Sequence, residues 1–105
     1  MASAPVRLAS AATSWLERCH GPGWIAAGDA ALTFDPLSSQ GLVTALWGGR
    51  QAALAALAGL LGDQEPMESY ARTLDQARRT YFEQRKMVYR YEGRFAEHPF
   101  WQRRR

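Results

Sequence analysis

The chain is poor in the residues that build metal centres and disulfide frameworks: it has one cysteine, Cys19, and two histidines, His20 and His98, in 105 residues. A lone cysteine cannot close an intramolecular disulfide, and these three side chains fall short of a four-ligand zinc set, so neither staple is expected. There is no internal repeat and no G-x-G-x-x-G phosphate-binding turn. Residues 41–61 form the longest apolar segment, close to a membrane span in length, but Arg50 and Gln51 occupy its centre. An arginine at mid-bilayer costs about 2.5–3.5 kcal/mol even on lenient scales, so a buried helix of a folded protein is expected there and no membrane partner. At the amino end, Arg7 interrupts the apolar stretch before it reaches the roughly 7–15 residues of a secretory core, and a cytoplasmic chain is expected.

With 47% hydrophobic and 22% charged residues, the composition is that of one small globular domain rather than a disordered segment. The net charge of +3 comes from the terminal run Arg103, Arg104 and Arg105; the rest of the chain is balanced. A nucleic-acid footprint needs a basic face, and a terminal basic run is ordinarily a solvated tail, so no nucleic-acid partner is expected.

Two long helices dominate the pattern. The first is signalled by Ser38 or Ser39 as N-cap after Asp35 and Pro36, and its end by Gly62 followed by Pro66. Within it Gly41, Ala45, Gly48, Ala52, Ala56 and Gly59 form a stripe of small residues, which lets a helix lie close against a neighbour. The second helix is expected to begin at Pro66 and run to about Glu92, with Met67, Tyr70, Ala71, Leu74, Ala77, Tyr81, Val88 and Phe95 as its apolar face. Glu68 with Arg72, and Asp75 with Arg79, are expected i,i+4 pairs on its polar face. Ahead of the helices, residues 24–27 between Gly-Pro-Gly and Gly28 read as a short buried strand, residues 5–11 as a weaker one, and residues 12–20 as loop or short helix. The fold class is therefore an α/β fragment, mainly α-helical, with residues 1–62 carrying strand, loop and helix, and residues 63–105 a long amphipathic helix and basic tail of the same unit.

The chemistry concentrates in residues 23–50. Gly28 permits a tight turn and close approach by a ligand. Asp29 follows at the carboxyl end of the expected strand, where α/β proteins bind ligands, and its carboxylate suits hydroxyl groups such as those of a sugar or polyol. Pro36 stiffens the loop, and Ser39, Gln40 and Gly41 leave backbone N–H groups open at the helix start, a place for a phosphate or an electron-rich ring edge.

This segment resembles the second flavin-binding motif of FAD-dependent monooxygenases of the aromatic-hydroxylase superfamily, in which a strand leads into Gly-Asp-Ala-Ala (Gly28, Asp29, Ala30, Ala31) and a Pro-containing loop opens a helix. The run Asp35-Pro36-Leu37-Ser38-Ser39-Gln40-Gly41-Leu42 is most similar to the tryptophan-halogenase-like branch, and the resemblance covers about residues 21–53. It implies that Asp29 bonds the FAD ribityl chain, that Gly28 lies near the pyrophosphate, and that Pro36 lies beside the isoalloxazine ring. The backbone of Ser39, Gln40, Gly41 and Leu42 would face the flavin's pyrimidine edge. Leu32 stands where many aromatic hydroxylases have histidine, and Ser39 where they have the first glycine of a Pro-x-x-Gly-x-Gly run. The tryptophan-rich motif and the lysine of true halogenases are absent, as is the phosphate-binding turn that holds the ADP half of FAD.

The resemblance therefore implies the carboxyl-terminal part of a flavin-dependent oxidoreductase, partnered by FAD and by a segment that carries the other half of the site. No residue is singled out as catalytic. The alternative is a non-enzymatic helical module that binds a protein through Met67, Tyr70, Leu74, Tyr81 and Val88.

Overall fold

A computed structural model describes residues 3–36 and 39–104. Ser38, one of the two expected caps, Leu37 and the terminal Arg105 lie outside the described residues. Four two-residue strands precede the helices: β1 (Ser14–Trp15), β2 (His20–Gly21), β3 (Trp24–Ile25) and β4 (Leu32–Thr33), with a 3-10 turn (Gly28–Ala30) between the last two. Then come α1 (Gly41–Leu60), α2 (Glu65–Arg90) and the short α3 (Pro99–Gln102).

β2 and β3 form a hairpin across Pro22 and Gly23, whose φ of 75° is the left-handed value that the second central position of a Pro-Gly turn takes. β1 pairs antiparallel with β4, joining Ser14 to Thr33 and Trp15 to Leu32. The expected buried strand at 24–27 is thus corrected to a two-residue, half-exposed hairpin arm. It lacks the flanking parallel strands that would bury it on both faces. Residues 5–11 form no strand; Val6 and Leu8 are fully open to solvent. The described residues make a mostly helical protein with short antiparallel strands, and among them no helix is long and apolar enough to cross a membrane.

The hinge between the long helices follows from local chemistry. Gly62, with φ of 92°, closes α1 in a Schellman motif: its N–H reaches Gly59 O at 3.1 Å and Asp63 N–H reaches Ala58 O at 2.9 Å. Asp63 Oδ1 then accepts from Glu65 N–H at 3.1 Å, and Pro66 occupies the first turn of α2, one residue inside the observed start. α1 and α2 fold back on each other along the stripe of small residues: Gly48, Ala52 and Ala55 are buried, and a Cβ on Gly59 would stand 3.2 Å from Met67 Sδ. On α2, Met67, Tyr70 and Tyr81 are buried as expected, whereas Val88 is about half exposed and Tyr89 takes the inner position; the helix ends at Arg90, so Phe95, also about half exposed, lies in the turn beyond it. Asp75 pairs with Arg78 (2.6 Å) and Arg79 (3.0 Å), and Arg72 reaches Glu65 rather than Glu68. The carboxyl tail is not simply solvated. His98 Nδ1 accepts from Phe100 N–H to cap α3, and Arg104 lies over the Phe100 ring at 3.9 Å.

The core is small. Cys19, Ala31, Ala52 and Tyr70 form one cluster, with Ile25, Ala26, Ala27, Ala71 and Leu74 around it. The chain exposes 8056 Å², whereas a compact monomer of this mass exposes about 5,900 Å². Its radius of gyration, 17.3 Å, likewise exceeds the roughly 13 Å of a compact domain of this length. Much apolar surface therefore has no cover within the chain.

Burial pushes the Cys19 thiol above its ordinary 9.0, and burial, aided by charge on Cys19, pushes the Tyr70 phenol above its ordinary 10.0. Tyr89 is raised too, by burial first and then by its bond to Asp35. Below these ordinary values folded and unfolded chains both keep the protons; above them the unfolded chain releases them first, so folding weakens as pH rises. Urea midpoints are expected to be level up to about pH 8.5 and to fall between about pH 9 and 11. A midpoint that stays constant to pH 11 would contradict the assigned burial.

Candidate functional site

Gly28 opens the 3-10 turn with φ of 59°, a conformation that glycine adopts without a steric cost. A Cβ there would lie 3.6 Å from the Ala45 Cβ, and one on Gly48 would lie 3.8 Å from the Gly28 amide nitrogen and from Tyr70 Oη. The missing side chains of the stripe let the turn seat directly on α1, about 6–10 Å along the axis from the helix start at 1.5 Å per residue. Tyr70 fixes the approach from the other side by donating its hydroxyl to Ala26 O at 2.8 Å, while Ala26 N–H bonds Cys19 O at 2.7 Å. Asp29 projects from this turn exposed, and its carboxylate accepts no hydrogen bond from the described residues.

The helix start differs from expectation. Gln40, not Ser39, holds the N-cap position, no side chain among the described residues caps the helix, and no acid occupies its first turn. Ser39 sits one residue earlier with φ of 55°, its N–H bonded to Pro36 O at 3.2 Å. Such a left-handed conformation costs a residue with a Cβ about 1–2 kcal/mol, and it keeps the serine out of capping geometry. Neither Gln40 nor Ser39 therefore caps the first amides of α1, and a Cβ on Gly41 would meet nothing within 4 Å. Pro36 and Leu42 are exposed.

The seven residues from the sequence thus fall into two groups. Gly28 and Asp29 belong to the turn seated on the amino half of α1 at Ala45 and Gly48, while Gly41 and Leu42 open that helix. Pro36, Ser39 and Gln40 belong to the loop that enters the helix. Gln40 also borders a cavity of about 290 Å³ lined by Asp35, Tyr81, Arg85, Val88 and Tyr89 among others, which Asp29 does not line.

Asp35 is the part of this loop that the sequence undervalued. Its Oδ2 accepts from Tyr89 Oη at 2.6 Å, and Arg85 Nε stands 4.0 Å away. Its backbone N–H bonds Tyr81 Oη at 2.7 Å, and that hydroxyl also exchanges a hydrogen bond with Thr13 Oγ1 at 2.7 Å. Arg85 in turn lies over the Tyr89 ring, 5.7 Å from its centroid. Tyr81, Arg85 and Tyr89 recur every four residues, a spacing that places them on one line of α2 and was legible as such.

The face offered by the interaction-module alternative is not free, because Met67, Tyr70 and Tyr81 are buried within the chain. The chain matches no protein-family model, no curated protein and no solved structure.

Proposed function

We propose that this chain supplies the carboxyl-terminal half of an FAD site in a flavin-dependent oxidoreductase of the halogenase-like monooxygenase type. The observation that supports this best is the seating of the Gly28 turn on α1, with Asp29 exposed on that turn and the first helical amides capped by neither Gln40 nor Ser39. An exposed carboxylate is suited to the hydroxyls of a ribityl chain, and amides at a helix start suit the electron-rich carbonyl edge of a flavin ring. The left-handed Ser39, at a position where the related motif has glycine, fits a loop whose backbone path serves a ligand rather than the helix cap.

Asp29 would orient the ribityl arm, Pro36 would border the ring, and the backbone of Ser39 to Leu42 would stabilise negative charge on it. FAD, when bound, supplies the redox chemistry, oxygen-dependent hydroxylation of an electron-rich aromatic substrate. A second polypeptide segment with a phosphate-binding turn would complete the site, because a cofactor of this size needs convergent contacts to offset the entropy of its capture.

Titration of the chain with FAD, followed by flavin fluorescence and calorimetry, tests this. Weak, saturable binding is expected, and Asp29→Ala is expected to weaken it at least about tenfold, since a charged hydrogen bond contributes about 1.5–3 kcal/mol. No saturation below about 1 mM, or equal affinity of the two proteins, would overturn the proposal.

A further inference from the structure

α1 is apolar on both sides, and the chain covers only one. Its small-residue stripe packs on α2 and the 3-10 turn, while the opposite face carries Leu42, Val43, Leu46, Leu54, Leu57, Leu60 and Leu61, each at least half exposed. Successive residues turn by 100°, so these seven side chains fall within about one third of the helix circumference, opposite buried Gly48, Ala52 and Ala55. A helix apolar all round belongs between two layers.

We infer that the second layer is another copy of the same chain, docked by antiparallel pairing of α1 with α1 across a twofold axis between Gln51 and Ala52. The sequence of the exposed face is self-complementary about that point. Leu42 meets the partner's Leu61, Val43 meets the partner's Leu60, and Leu46 meets the partner's Leu57. Leu54 enters the notch at the partner's Gly49, where no side chain obstructs it. Arg50, the one charge on the face, meets the partner's Ala53, over which its aliphatic stem lies while the guanidinium reaches the rim. Isologous pairing requires this reciprocity of contacts.

The area agrees. The seven residues are each at least 50% exposed and run the whole length of α1, about 30 Å, the extent that a standard interface of roughly 800 Å² per partner needs. An apolar patch of this size exceeds the few hundred Å² that a monomer ordinarily leaves uncovered.

The inference is separable from the flavin proposal, because Leu57 lies about four turns from the helix start and about two and a half turns beyond Gly48, where the Gly28 turn is seated. Sedimentation equilibrium of the full chain is expected to give a discrete dimer. Leu57→Glu, exposed in the monomer and therefore compatible with its fold, is expected to weaken the dimer at least about a hundredfold, because each copy contributes the defect. Leu8→Glu, on the exposed amino segment, is expected to leave it unchanged. Register is read from chains carrying Leu46→Cys or Leu57→Cys, each with Cys19→Ser, mixed in equal amounts and oxidised: the mixed disulfide is expected to exceed the two like-with-like products taken together. Three results would overturn the inference: a monomer at about 100 µM, a concentration well above the Kd of standard-size interfaces; a dimer indifferent to Leu57→Glu; or like-with-like disulfides that together are as abundant as the mixed one. The last is the signature of an apolar face with no defined register.

Discussion

Tyr81→Ala is expected to bring the chain to the edge of unfolding at 25 °C. Tyr81 is 2% exposed, its ring lies 4.7 Å from Phe34 and 5.4 Å from Phe82, and its hydroxyl bonds both Asp35 N–H and Thr13 Oγ1. It is the point at which the amino-terminal segment, the loop into α1 and α2 are held together. Truncating a buried aromatic costs about 3–5 kcal/mol, and a chain of this length with so small a core has a stability of only about 5 kcal/mol. Tyr81→Phe keeps the ring and removes the oxygen; an unsatisfied buried amide costs about 1–3 kcal/mol, so this variant is expected to fold with a lower urea midpoint. Loss of less than about 1 kcal/mol in the alanine variant, measured by urea titration of the far-ultraviolet circular dichroism signal, would show that Tyr81 is not central to packing.

The second large effect belongs to Tyr70. It is 4% exposed, stacks on Trp47 with ring centroids 6.3 Å apart, and bonds the Ala26 carbonyl just before the Gly28 turn. Tyr70→Ala is expected to cost about 3–5 kcal/mol by the same cavity argument. Tyr70→Phe isolates the hydroxyl: an unsatisfied Ala26 carbonyl costs about 1–3 kcal/mol and releases the segment that seats Gly28 on α1. In the phenylalanine variant FAD affinity is therefore expected to fall although no ligand contact is altered. If stability drops while FAD affinity is unchanged, Tyr70 supports the core but does not position the turn.

Those two tyrosines also mark where the sequence was informative. Their helical spacing with Met67 announced the inner face of α2, and Gly62 and Pro66 announced the break between the helices; both are local signals, decided within a turn or two of chain. The short apolar run at 24–27 was less informative, because a strand's extent depends on partners that a run of four residues does not specify. Here its only partner is the two-residue arm His20–Gly21. The cap failed for a related reason. Serine before a helix is a cap only if its backbone is extended, and at Ser39 the path of the loop imposes a left-handed φ. Asp35 looked like a loop residue because the groups that hold it, Tyr81 and Tyr89, lie 46 and 54 residues away.

Periodicity and turn chemistry alone sufficed for two long helices, the hinge between them and the small-residue stripe on the first, because these depend on intervals of three to five residues. Folding in three dimensions settled which of the two apolar sides of α1 is covered, where Asp29 and Asp35 lie, and how far each strand extends. Those outcomes depend on contacts between residues distant in the chain, and neighbouring residues carry no record of them.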